Sequence, residues 1–163
     1  LGHDPDALLA PVAADSLPSR LTLELALLPE RTPAEALRRC RDIASRAAVG
    51  DLRAAVYSAR LLEADTLRRG GDARHAAAVL RETLADLGHA QPLALGPTRG
   101  AYLAWRTVDA AGEAGPARAA LQRGVRWLHD GLPRVPPACR AGFLRVNPVH
   151  RKLLEAARRE GLA

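Results

Sequence analysis

Catalytic and metal-binding chemistry in a chain of this size would have to come from its five histidines and two cysteines. His3, His75, His89, His129 and His150 never fall one helical turn apart, and neither Cys40 nor Cys139 has a histidine close by in sequence. A metal centre would therefore need ligands gathered only by tertiary folding, and none is expected; the histidines read as surface or helix-end residues. Cys139 stands beside Arg140 at a helix start, an environment that lowers a thiol pKa, but His150 alone follows it as a base, and the pair is not expected to act as a nucleophile. His89 at a helix end suits the terminal dipole. Gly96-Pro97-Thr98-Arg99-Gly100 lacks both the lysine and the preceding strand of a phosphate loop. No catalytic, metal-binding or cofactor-binding residue is expected.

Rings and guanidiniums remain. Tyr57, Tyr102 and Trp105 fall on the first helices of helical pairs, with Arg53, Arg60 and Arg106 nearby. If these helices line a concave groove, the six side chains would receive an extended or helical acidic peptide; the plainer alternative buries the rings as core.

The elements carrying these residues are helical. Apolar residues are mainly alanine, leucine and valine, which favours helices at close approach over sheets. A length of 163 residues suits one domain. Methionine is absent even at position 1, which reads as a fragment of a longer protein. The net charge of +6 raises nucleic acid or an acidic membrane as partners. The arginines, however, are distributed over every helix with acids between them, the pattern of a solvated surface. Cys40 and Cys139 read as reduced, partly buried thiols of a cytoplasmic chain, and no apolar run reaches the ~20 residues of a membrane span.

Asp4 and Pro5 open a short helix over 5–14. The stretch 21–27 alternates like a strand, but its leucine, alanine and glutamate content selects helix. Thr32-Pro33-Ala34-Glu35 is a capping box starting a helix to about Ala48. Gly50 ends it, and Asp51 caps a helix to Arg69 that turns Arg53, Arg60, Glu63 and Arg68 away from its apolar face. Gly70-Gly71 reverses the chain into a helix from Ala73 to Leu87. A breaker-rich linker, 88–96, precedes a helix from Pro97 to about Ala111. After the turn Gly112-Glu113-Ala114-Gly115, Pro116 opens its partner, in which Gly124 predicts close approach of another backbone. Pro136-Pro137 begins a short helix, and Asn147 with Pro148 begins the last one, closed by Gly161. Seven or eight helices and no strand result.

The hairpin of Leu61-Leu62-Glu63-Ala64, Gly70-Gly71-Asp72, Ala76-Ala77 and Leu80 resembles a divergent tetratricopeptide pair without the usual large aromatic of the first helix. The last fifty residues carry Ala119-Ala120-Leu121, Arg126-Trp127-Leu128, Val135-Pro136-Pro137, Arg140, Gly142-Phe143-Leu144-Arg145, Asn147-Pro148, Arg151 and Leu153-Leu154. In these the chain resembles the extreme C-terminus of large bacterial signal-transduction ATPases and transcriptional regulators. The resemblance implies an all-α, right-handed superhelix of stacked antiparallel hairpins over 1–163. It also implies a non-enzymatic module binding a protein, a peptide, an effector or other domains of its own chain. No membrane partner is expected. Nucleic acid, contacted through dispersed arginines, is the alternative. An uncovered apolar face on the N-terminal helices would promote homodimerisation.

Overall fold

The computed structural model describes residues 16–87 and 95–162, and all the regular structure among them is helical. The expected helix over 5–14 and most of the expected linker lie outside the described residues. The chain forms two compact units divided between Ala94 and Leu95.

In the first unit, α1 (Leu17–Leu27) leads through a 3-10 turn, Leu28–Glu30, into α2 (Pro33–Val49), followed by α3 (Arg53–Arg69) and α4 (Ala73–Leu87). The 21–27 stretch is helical as its composition indicates. Thr32 caps α2 by accepting from the Glu35 amide at 3.4 Å, and the Glu35 carboxylate bonds Arg31. Helix α3 packs against α1, α2 and α4, so it is buried on nearly all faces, including Ser58, Glu63, Asp65 and Thr66. Here the sequence expectation needs correcting: Glu63, assigned to the outer face, is 2% exposed. A seventeen-residue helix with three neighbours keeps little solvated surface, and Glu63 does not fall on it. The Ser58 and Thr66 hydroxyls are satisfied by donating to the Ala54 and Leu62 carbonyls at 2.9 and 2.8 Å.

Buried acids in this unit are each held by two arginines. Glu24 on α1 pairs with Arg20 of its own helix and with Arg46 of α2, which also reaches Asp42 at 3.0 Å. Glu63 on α3 receives Arg41 of α2 and Arg60, each at 2.8 Å. Asp65 takes Arg68 and Arg69. The hydrogen bond to Glu24 raises the Arg46 pKa further above its ordinary value.

In the second unit, α5 (Gly96–Ala110) and α6 (Ala114–Gly131) form a hairpin. Two 3-10 turns, Leu132–Arg134 and Pro137–Cys139, lead to α7 (Arg140–Arg145) and α8 (Pro148–Arg159). Helix α6 begins two residues ahead of the expected Pro116. Helix α8 packs on both α5 and α6, around a core of Leu121, Leu128, Leu153 and Ala156. Gly124 lies at that junction: an added Cβ would come 2.7 Å from a Leu153 methyl and 3.0 Å from Ala101 Cβ. The close approach predicted for Gly124 is thus made by side chains of α8 and α5 rather than by a backbone.

Four helix ends share one geometry. After α2, α3, α5 and α8 the chain enters the left-handed region at Asp51, Gly71, Gly112 and Gly161, with φ of 51°, 90°, 77° and 65°. The next amide, at Leu52, Asp72, Glu113 or Leu162, reaches back five residues to Ala47, Leu67, Val108 or Ala157 at 2.8–3.0 Å, closing a Schellman turn. Asp51 is therefore the reversal residue of the first turn and not the cap of α3; that place falls to Leu52, which makes no side-chain capping bond. Glycine alone adopts this conformation without steric cost. Asp51→Gly is expected to raise the chemical-denaturation stability by about 0.5 kcal/mol, and Gly71→Ala to lower it by about 1 kcal/mol.

Gly124→Ala should also lose about 1 kcal/mol in the same measurement. The crowding against buried Leu153 outweighs the helix propensity that the methyl contributes.

Candidate functional site

The six groove residues read from the sequence divide between the two units. Arg53 donates to the Asp86 carbonyl at 2.8 Å, Tyr57 is 8% exposed, and Arg60 is engaged by Glu63. In the second unit Tyr102 and Trp105 stack at 5.6 Å with a 42° tilt, and the Arg106 guanidinium sits 5.5 Å from the Tyr102 ring centre, a cation–π contact. Both rings are half-buried against the Leu121, Leu128, Leu153 and Ala156 core. The plainer reading of the rings, as packing, describes much of their surface.

What sequence reading passed over is how unevenly charge is distributed. Residues 1–94 hold twelve Arg and Lys against thirteen Asp and Glu; residues 95–163 hold twelve against five. The net positive charge of the chain resides in the second unit. In the first unit Arg20, Arg31, Arg41, Arg46, Arg60, Arg68 and Arg69 all form ion pairs with carboxylates. In the second, the guanidiniums of Arg118 and Arg140 bond backbone carbonyls.

The surface built by α7 and α8 is where this charge meets apolar side chains. Asn147 caps α8, accepting from the Val149 and His150 amides at 2.9 and 3.3 Å, and Pro148 fixes the first turn. That tight entry places His150 under α7, where it is 5% exposed, against the expectation of a surface or helix-end histidine. Its Nδ1–H donates to the Phe143 carbonyl at 2.8 Å; a carbonyl only accepts, so the proton must sit on Nδ1. Phe143 meets the imidazole edge-on at 4.7 Å, and Trp127 of α6 lies 6.5 Å from it. The imidazole thus fastens α7 to α8 and backs an open depression lined by Val135, Cys139, Gly142, Phe143, Val146, Asn147, Pro148 and His150. Val146 is 81% exposed at its edge.

A second hollow on α7 and α8 is lined by Leu144, Leu154, Arg145, Arg151, Glu155 and Arg158. Its one internal ion pair, Arg151 to Glu155 at 3.8 Å, joins two well-exposed side chains, a geometry of little energetic weight. Both hollows are suited to adhesion. The first offers mainly apolar area, and the second adds three guanidiniums and one carboxylate to its leucines.

The thiols separate, correcting the expectation that both are partly buried. Cys40 is enclosed on α2, and burial, together with the nearby Glu63 carboxylate, pushes its pKa up to about 12. Cys139 is exposed at the rim of the first depression, and both are free. Among the described residues no three His, Cys, Asp or Glu gather as a metal set, and no helix is long and apolar enough to cross a membrane. No protein-family model, curated protein or solved structure matches the chain at significance.

A thiol reagent at neutral pH is expected to modify Cys139 rapidly and Cys40 only on unfolding, read as one fast equivalent and a second after denaturant is added. Because the folded Cys40 pKa lies above the unfolded 9.0, its contribution to stability is complete below pH 9 and lost as pH rises toward about 12. Cys40→Ala should flatten that alkaline loss in pH-dependent denaturation.

Proposed function

We propose that this chain is a non-enzymatic helical-repeat module that binds a protein or peptide and serves as the C-terminal array of a bacterial signalling or transcriptional regulator. Two features support the repeat reading. Helices of similar length are reversed by the same Schellman turn at Asp51, Gly71 and Gly112, about 20 and about 40 residues apart. The final fifty residues also carry the motifs by which the chain resembles those regulators. On this reading the hairpins belong to a right-handed, tetratricopeptide-like superhelix, and binding acts by changing contacts with neighbouring domains, since each repeat touches only its neighbours.

The observation that carries the binding role is the apolar depression between α7 and α8, with Val146 81% exposed at its edge. Large apolar side chains gathered at a surface and framed by charge are how soluble proteins present an interaction site. The excess of positive charge in residues 95–163 favours nucleic acid as the second reading.

A photo-crosslinking residue placed at Val146 of the full-length protein in its own cells should capture one recurrent peptide sequence, identified by mass spectrometry, while the same group at exposed Ala110 should not. Equal capture at both positions, or adducts only with nucleic acid at Val146, would refute the protein-binding role.

A further inference from the structure

We infer that the hollow ringed by Arg145, Arg151 and Arg158 docks an acidic amphipathic helix, whose carboxylates meet the arginines while a leucine-sized side chain rests on Leu144 and Leu154. The inference rests on the protein-binding reading above and supplies the chemistry of the partner.

Three observations lead to that occupant. The first is the register of α8. Arg151 and Arg158 are seven residues apart, two helical turns, which places them on one face about 10 Å apart along the axis. Leu154 and Glu155 fall between them on that face, while Leu153, Ala156 and Ala157 are buried on the other. A second helix lying along α8 would meet this face with carboxylates two turns apart and an apolar residue midway, the same periodicity in complementary chemistry.

The second observation is availability. In the first unit Arg20, Arg41, Arg46, Arg60, Arg68 and Arg69 are held by buried acids, whereas Arg145, Arg151 and Arg158 are exposed, with Arg151 3.8 Å from the exposed carboxylate of Glu155. Guanidiniums recognise carboxylates in paired hydrogen bonds, and the ones here are available for a partner to recruit.

The third observation selects among polyanions. A phosphate backbone favours an unbroken basic track, but here Glu155 interrupts the arginines, and Leu144 with Leu154 forms a floor that a phosphate would desolvate without return. An acidic helix avoids both costs. Its apolar residue covers the leucines, and the gap in its acidic row falls opposite Glu155.

The test is fluorescence anisotropy on the whole chain with a labelled, amidated alanine- and glutamine-based peptide. It carries Glu at positions i and i+7 and Leu at i+3 and i+4. Binding is expected, weakened about tenfold or more by Arg151→Glu with Arg158→Glu and recovered when that double variant meets a peptide with Lys in place of both Glu. Arg74→Glu on α4 should change affinity less than twofold, and a peptide with Ser for both Leu should bind markedly less well. The inference is overturned if the peptide does not bind, if the double variant binds it unchanged, if the serine peptide binds equally, or if duplex DNA displaces it with a steep salt dependence. Loss of this inference alone would leave the capture at Val146 intact; loss of the protein-binding reading would abolish both.

Discussion

A carboxylate removed from water must be answered by a cation, and in the first unit that requirement organises the packing. Glu24 and Glu63 sit within the layer between helices, and each draws an arginine across from α2: Arg46 to α1, Arg41 to α3. Such pairs add little net stability relative to apolar substitutes, but a buried acid can be answered at one register only. The alanine faces of α2 and α3, smooth and permissive of sliding, gain a fixed alignment from charges they would otherwise exclude. The same requirement sets where charge is available. In the first unit six arginines answer interior acids; in the second, buried acids are absent from the described core.

Helix positions were readable from the sequence wherever a local signal fixed them. Thr32-Pro33, Gly71, Gly112 and Asn147-Pro148 act within a few residues of themselves, and the structure places turns and caps at each. Asp51 misled because aspartate is a good cap and also one of the few side chains tolerated at positive φ; the hydrogen bond from Leu52 back to Ala47 decides between the roles, and that bond is set by how α2 ends. Glu63 and His150 misled for a different reason. Polarity predicts exposure only when solvent is accessible in some direction, and three helices around α3, or α7 folded over α8, close off those directions.

Of the candidate site, residue types were legible and their grouping was not. Tyr102, Trp105 and Arg106 lie close in sequence on one helix and do cluster, whereas Arg53, Tyr57 and Arg60 belong to another unit with partners of its own. The contrast in charge between the two halves was present in the sequence as a simple imbalance. It acquires meaning only with the boundary at Leu95, since a total averaged over the whole chain conceals a nearly neutral half beside a strongly basic one.

The missing side chain at Gly124 has a bearing on the opposite surface of the molecule. Leu153 can settle against α6 only because nothing projects there, and the depth to which α8 sinks determines how far its outward residues stand above the surface. The height and tilt of the basic face are therefore controlled from behind, through a contact that no ligand touches. Substitutions at such a seat could retune what the face recognises while every recognising residue stays unchanged.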